Sequence, residues 1–185
     1  IGEFNVRNCL AVIAAADAWG VEPETIQKAF STFKSVKRRA ELRGVERGVT
    51  VIDDFAHHPT AVGATLEALR QRYRGNRLVA VFERRGWSSR LAFFQEPYVE
   101  AFSRADYVIV AGVYDTETAS RLGKVLDTVQ LIEQIGDTGL PAFNLPDADS
   151  IVEHLAPELR EGDIVAVMSN GGFGGIHDKL LETLK

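Results

Sequence analysis

The sequence predicts an α/β fold in which a mostly parallel sheet is covered by helices on both faces and is preceded by short helices. Continuously apolar runs alternate with amphipathic helical patterns, which is typical of parallel strands buried on both sides. Four runs predict strands, and a weaker one lies near PAFNL (141–145). The four are VTVID (49–53), LVAVFE (78–83), YVIVAG (107–112) and IVAVMS (164–169).

Apolar side chains at near-helical spacing predict the helices that cover this sheet. They are expected at 60–74, 89–104, 124–135, 148–159 and 175–184. Two further helical patterns, 3–19 and 22–33, precede the sheet, and Gly20 is a plausible C-cap for the first. Two short helices alone would bury little apolar surface. We therefore interpret 1–35 as the helical tail of a preceding domain and 36–185 as the sheet domain. The start at Ile1 favours a cut through a longer protein.

The composition excludes several classes of protein. The chain has 185 residues, 45% of them hydrophobic, and a net charge of −5, so no overall basic field favours nucleic acid or an anionic membrane as a partner. Cys9 is the single cysteine, which excludes an internal disulfide framework and fits a reducing, cytoplasmic location. The apolar stretch CLAVIAAADAW is interrupted by Asp17 and is too short to span a bilayer.

The stretch IDDFAHHPT (52–60) places two carboxylates and two imidazoles between a predicted strand and a predicted helix. Ligands of open α/β sheets gather at the carboxyl ends of the strands. A carboxylate there can accept from ribose hydroxyls, and an imidazole can donate to phosphate or to a developing oxyanion. Alternatively, Asp53 or Asp54 caps the helix and the histidines are solvated or bonded to backbone.

Two arginine clusters lie beside predicted strand ends. Lys34, Lys37, Arg38 and Arg39 precede the sheet, and ERRGWSSR (83–90) follows a strand. Guanidinium groups suit bidentate binding of phosphate or carboxylate, although charge runs are more often solvated surface.

The last predicted strand runs into a glycine-rich stretch, MSNGGFGGIH (168–177). Its glycines allow close approach of a ligand, and the following helix start can bind an anion. The dinucleotide fingerprint lacks its third glycine here, which argues against NAD, and no G-x-x-x-x-G-K-[ST] loop occurs in the chain.

Taken in order, GEFNVRNCLAVIAAA, KRRAE, DDFAHHPT and MSNGGFGGIH resemble the Mur ligases, ATP-dependent enzymes that build the murein peptide. The ending is most similar to the recycling member, which joins UDP-N-acetylmuramate to L-Ala-γ-D-Glu-meso-diaminopimelate. The L-alanine-adding member is the alternative. A stand-alone, non-catalytic nucleotide-binding module is the alternative from another class.

The resemblance implies a three-domain enzyme, in which this chain is the Rossmann-like acceptor domain with the last helices of the central ATPase domain attached. ATP and Mg²⁺ are the implied cofactors, with the metal ligands mostly outside the chain and none assigned within it. UDP-N-acetylmuramate and the murein tripeptide are the implied partners. Because the phosphate loop is missing, the isolated chain is expected to be inactive.

The resemblance also assigns nucleotide contacts residue by residue. Asn5 and Asn8 correspond to the pair that touches adenine, Arg39 to the arginine that reaches the ATP phosphates, and Asp54 to the carboxylate on the ribose. His57 corresponds to the histidine near the γ-phosphate. On this basis His57 and Arg39 are the expected catalytic residues.

The resemblance gives weaker support for a nucleotide contact by His58, which is equally interpreted as a structural hydrogen-bonding residue. The tripeptide brings three carboxylates, and residues at the strand ends are expected to bind it. By location these are Arg84, Arg85, Arg90, Ser169, Asn170 and His177.

Overall fold

A computed structural model describes residues 2–34, 36–85, 91–112 and 126–185. The helices in chain order are α1 (Glu3–Ala18), α2 (Pro23–Thr32), α3 (Pro59–Arg72), α4 (Gln95–Phe102), α5 (Thr128–Asp137), α6 (Ala148–Leu155) and α7 (Ile176–Thr183). The strands are β1 (Glu41–Glu46), β2 (Val49–Asp54), β3 (Leu78–Phe82), β4 (Tyr107–Ala111), β5 (Ala142–Leu145) and β6 (Ile164–Met168).

The described strands form one sheet in the order β1-β2-β6-β3-β4-β5. Every neighbouring pair is parallel except β1 with β2, which is antiparallel. The mostly parallel α/β fold predicted from the sequence is therefore confirmed, and so are all five predicted strands. The central position of β6 brings its carboxyl end beside those of β2 and β3, which places the glycine-rich ending next to the DDFAHHPT corner.

Two hydrophobic cores lie on opposite faces of this sheet, as continuously apolar strands require. One face packs Ile52, Phe82 and Met168 against helices α3, α4 and α5. The other packs Val81 and Val167 of the same strands, with their neighbours, against α6 and α7. Both faces of the sheet are thus covered by helices.

Strand β1 was not predicted. It lies at the sheet edge with mostly exposed or half-buried residues, so it has no apolar run of the kind that marks the central strands. Its register against β2 shifts between Leu42 and Gly44, which interrupts any alternation.

The predicted helices are present, with corrected bounds. Helix α5 begins at Thr128 rather than 124, because the Asp127 carboxylate caps it by accepting from the Val129 and Gln130 amides. Helix α4 begins at Gln95 after a 3₁₀ turn, and the first residues of the prediction at 89–104 fall partly outside the described residues.

Helices α1 and α2 contain no buried residue, in contrast to the helices that cover the sheet. Large apolar side chains are exposed on both, among them Leu10 and Val12 of α1 and Phe30 of α2. The start of α1 lies against α3. Gly2, the N-cap of α1, is so close to Ala68 of α3 that a Cβ added to Gly2 would lie 2.7 Å from the Ala68 Cβ. No helix in the described part of the chain is long and apolar enough to cross a membrane.

Candidate functional site

A cavity of about 580 Å³ opens beside the corner between β2 and α3. Its walls come from the start of α1, from residues 39–40, from the end of β2 and from one side of α3 along its whole length. Polar side chains that line it are Asn5, Arg39, Asp54, His58, Thr60, Thr65 and Arg72. The volume is in the range of small-molecule and cofactor sites.

Asp54 ends strand β2 and is almost completely buried. Its carboxylate accepts from the Ala40 amide at 2.7 Å, from the Ala56 amide at 2.8 Å and from the Thr65 hydroxyl at 3.2 Å. These three bonds join the segment before the sheet, the corner and helix α3. Asp54 therefore holds together the three segments that form this wall of the cavity.

The segment that carries Arg39 is held in an unusual backbone conformation. Arg38 and Ala40, on either side of it, have φ of 59° and 48°, which is the left-handed region that favours glycine. The Arg38 amide donates to Glu41 at 2.7 Å, and the Arg38 carbonyl accepts from the Phe55 amide at 2.8 Å. These bonds fix the backbone on each side of Arg39, whose guanidinium lies 5.8 Å from the centre of the Phe55 ring.

The two asparagines of α1 occupy different places. Asn5 lines the cavity together with Arg39. Asn8 does not line it but lines a second cavity of about 600 Å³ between α1 and α2, which Asn5 and Arg39 also border. The structure thus brings Asn5, Arg39 and Asp54 together, with Asn8 one turn further along α1.

The two histidines of the corner also differ. His58 lines the cavity and is the N-cap of α3, accepting from the Thr60 amide through Nδ1 at 3.3 Å. His57 is not among the lining residues; its Nδ1 lies 3.0 Å from the Phe55 carbonyl. The His57 carbonyl accepts from the Tyr98 hydroxyl at 2.6 Å. Burial raises the pKa of Tyr98, so this phenol stays a donor.

The glycine-rich ending is joined to strand β3 through Ser169. The buried Ser169 hydroxyl donates to Glu83 at 2.5 Å and accepts from the Gly171 amide at 2.9 Å. The exposed Arg85 crosses closely over Gly171, where an added Cβ would lie 2.5 Å from the Arg85 Cδ. A side chain at position 171 would therefore force the Arg85 side chain to move.

The remaining predicted acceptor residues have different surroundings. Arg84 is completely buried and donates to the Leu126 carbonyl at 3.2 Å and to the Thr128 hydroxyl, so it binds the start of α5. Asn170 is half-buried, and its Oδ1 has no hydrogen-bond partner among the described residues. Arg90 lies outside the described residues.

His177 belongs to a buried charged cluster around Asp53 that the sequence analysis did not identify. The Asp53 carboxylate lies 3.2 Å from the Arg38 Nε, 3.4 Å from the His177 Nε2 and 3.9 Å from an Arg43 Nη1. Arg38 also reaches the Ser169 and Gly171 carbonyls, at 2.6 and 2.8 Å. In the sequence, the sign of this cluster was the carboxylate of Asp53 within the otherwise apolar run VTVID.

The surroundings of His177 predict a dependence of stability on pH. Burial is the largest influence on His177 and lowers its pKa; Asp53, the next largest, opposes this only in part, and the Arg43 and Arg38 charges lower the pKa further. The unfolded chain therefore binds a proton more readily. Stability is full above the ordinary pKa of 6.5 and is lost as the pH falls from there toward the lowered pKa of the folded chain.

We expect His177→Gln, whose side-chain amide can still face Asp53, to weaken this loss. Urea unfolding between about pH 7.5 and 5 would give a smaller decrease in unfolding free energy for the variant than for the wild type. His154→Gln, on helix α6, is the control and should retain the wild-type slope. Equal slopes for His177→Gln and wild type would contradict the interpretation.

In the described part of the chain, no group of three or more His, Cys, Asp or Glu side chains could hold a metal ion. The cavity is lined by guanidinium, amide, hydroxyl and imidazole groups, with a buried carboxylate at its base. Guanidinium groups suit phosphate, and a carboxylate suits ribose hydroxyls.

The chain belongs to the Mur ligases, and the family model for their glutamate ligase domain matches residues 38–171. The resemblance read from the sequence motifs is therefore confirmed. Mur ligases are ATP-dependent amide ligases.

Among its relatives, the chain is 40% identical over its whole length to the UDP-N-acetylmuramate–L-alanyl-γ-D-glutamyl-meso-2,6-diaminoheptandioate ligase of Escherichia coli K12, and spans 38% of that protein. It is 34% identical over its whole length to the UDP-N-acetylmuramate–L-alanine ligase of Caldanaerobacter subterraneus, and spans 39% of it. The crystal structure of a murein peptide ligase from Psychrobacter arcticus superimposes with a TM-score of 0.75 at 33% identity, over 99% of this chain and 37% of that one.

Proposed function

We propose that the chain is the acceptor-binding part of an ATP-dependent murein ligase that joins UDP-N-acetylmuramate to L-Ala-γ-D-Glu-meso-diaminopimelate. The observation that carries this proposal is the convergence of Asn5, Arg39, Asp54 and His58 on one cavity. The greater identity to the tripeptide ligase than to the L-alanine ligase supports the choice of acceptor. Residues 1–35 would belong to the central ATPase domain and 36–185 to the acceptor domain, in the cytoplasm.

The cavity fits an adenine nucleotide by its chemistry. Arg39 offers a permanent cation for phosphate oxygens, and Asn5 offers an amide that can both donate to and accept from adenine. A carboxylate has about four acceptor sites, and Asp54 uses three of them within the chain. The remaining site suits a ribose hydroxyl.

Two roles are proposed for residues beside this cavity. Asn8 would extend the adenine contact along α1, because it lies one turn beyond Asn5. His57 would approach the γ-phosphate only with a shift of its side chain, since its ring now packs edge-on against Phe55, with centroids 5.4 Å apart.

Magnesium would neutralise phosphate charge during this chemistry. Its ligands would lie mostly on other parts of the complete ligase, as the family resemblance implies.

The reaction proposed for the complete ligase has two steps. A carboxylate oxygen of UDP-N-acetylmuramate bonds to the γ-phosphorus of ATP, and ADP leaves. The amine of the incoming peptide then attacks the acyl carbon, and the tetrahedral intermediate loses phosphate while the nitrogen gives up a proton. Arg39 would offset the charge on the transferred phosphoryl group, which is worth most in a preorganised site.

The peptide would bind along the carboxyl ends of β3 and β6. The exposed Arg85 lies over the glycine-rich ending and would pair with an acceptor carboxylate, with Arg90 as a second cation. Asn170 would contribute its amide. Because Arg84, Ser169 and His177 are buried, we propose that they shape this surface without touching the peptide.

The test is a comparison of acceptors with the complete ligase. We expect kcat/KM for the tripeptide to exceed that for L-alanine by at least about 10³-fold, because a site built for several carboxylates loses those contacts with alanine. The isolated chain should show no ligation. A preference for L-alanine would support the L-alanine ligase instead, and ATP binding without ligation of either acceptor would support a non-catalytic module.

A further inference from the structure

The Arg38 side chain connects three parts of the structure that are distant in sequence. Its Nε faces the buried Asp53 carboxylate of β2, and its Nη2 donates to the Ser169 and Gly171 carbonyls of the glycine-rich ending. The two carbonyl acceptors lie 131 and 133 residues away along the chain. Arg38 is thus the contact through which the segment before the sheet holds the loop that follows β6.

Consecutive side chains of this segment serve different neighbours. Arg39 lines the cavity proposed for the nucleotide, whereas Arg38 bonds the loop beside the surface proposed for the peptide. Both guanidinium groups lie within 6 Å of the Phe55 ring, at 5.3 and 5.8 Å from its centre. The positive φ of Arg38 and of Ala40 fixes the backbone on each side of Arg39, so one short segment serves both proposed sites.

Arg38 is the guanidinium nearest to the Asp53 carboxylate, at 3.2 Å against 3.9 Å for Arg43. Asp53 is buried, and an unpaired buried carboxylate is strongly unfavourable. Arginine satisfies this carboxylate and two carbonyls at once because its donors form a rigid planar fork, whereas a lysine ammonium is a compact group that cannot span the same acceptors. Lysine therefore preserves the charge but not the connection to the loop.

We propose that Arg38 is a positioning residue for the acceptor: it holds the Ser169–Gly172 loop in the conformation that receives the incoming peptide. The role in catalysis rests on the proposed ligase function, whereas the coupling to the loop does not. Arg38 does not line the nucleotide cavity, so its replacement should affect the acceptor before it affects ATP.

Arg70 provides a matched control. Its side chain is 33% exposed against 29% for Arg38, and it likewise donates to one aspartate, Asp106, and to two carbonyls, those of Asn76 and Arg104. It lies at the opposite end of the sheet. Arg38→Lys and Arg70→Lys therefore remove similar bonds, and only the first removes the link to the loop.

The first measurement is amide hydrogen exchange on this chain. The reporters are the Gly171 amide, which donates to Ser169, and the Gly175 amide, which donates to the Gly172 carbonyl. In Arg38→Lys both should exchange at least about tenfold faster while amides of the central strands keep their protection. In Arg70→Lys both reporters should be unchanged. Unchanged reporter rates in Arg38→Lys would overturn the coupling.

The second measurement is steady-state kinetics of the complete ligase. In Arg38→Lys the KM for the tripeptide should rise at least about tenfold, with kcat and the KM for ATP within about threefold of wild type. The KM for the tripeptide should rise further in Arg38→Gln and should be unchanged in Arg70→Lys. Equal rises of both KM values would overturn the acceptor role. If wild-type protein ligates nothing, the proposed function fails, while the exchange measurement still decides the coupling.

Discussion

Replacing Arg39 with alanine in the complete ligase is expected to lower kcat by about 10²- to 10³-fold, the usual effect of removing one preorganised group that stabilises transition-state charge. Arg39 is held in place by the strained backbone on both sides and lines the cavity that also contains Asn5 and Asp54. Rapid-quench measurement of acyl phosphate formation, with saturating substrates, would locate the loss in the first chemical step.

Arg74→Ala is the control for this prediction, because Arg74 is an exposed arginine just beyond helix α3 whose Nε faces only the Gln71 carbonyl. We expect it to retain wild-type kcat. His57→Ala should also slow phosphorylation, but less than Arg39→Ala, since its ring nitrogen is engaged with the Phe55 carbonyl. Near-normal turnover of both Arg39→Ala and His57→Ala would contradict the assignment of this corner to the nucleotide.

Asp54→Asn is expected to lower the unfolding free energy of the chain by about 2–4 kcal/mol, because an amide nitrogen would replace an oxygen among buried donors. The carboxylate accepts from two backbone amides and one hydroxyl, and an asparagine cannot accept from all three in the same geometry. Urea unfolding followed by circular dichroism would measure the loss.

Asp127→Asn is the matched control for this substitution. Asp127 also accepts from two backbone amides, but at the exposed start of α5, where asparagine caps a helix as well as aspartate does. The control should change stability by less than about 0.5 kcal/mol. A difference between the two variants below about 1 kcal/mol would show that Asp54 does not have the organising role described for it.

The sheet could be predicted because its central strands are buried on both faces and therefore appear as continuous apolar runs. The edge strand Glu41–Glu46 lacked this property, since it is half exposed and interrupted by a register shift. The first residue of each helix was predicted less accurately than the position of the helix in the chain. A cap such as Asp127 depends on local backbone geometry, which hydrophobic periodicity does not reveal.

The corner and its arginine could be predicted from local motifs, because their residues lie within short stretches at strand ends. The Arg38–Asp53 cluster could not, since its acceptors include carbonyls more than 130 residues away. The same reason explains Arg84: whether an arginine at a strand end faces a ligand or is buried depends on which distant segment covers it. Among the described residues, Arg84 donates to the Leu126 carbonyl, 42 residues further along the chain.

The central claim is that the cavity beside the β2–α3 corner holds the nucleotide. A crystal structure of the complete ligase with a non-hydrolysable ATP analogue tests this most directly. We predict phosphate oxygens within hydrogen-bonding distance of the Arg39 guanidinium and adenine against the Asn5 amide. A nucleotide bound elsewhere, without contact to Arg39 or Asn5, would contradict this assignment.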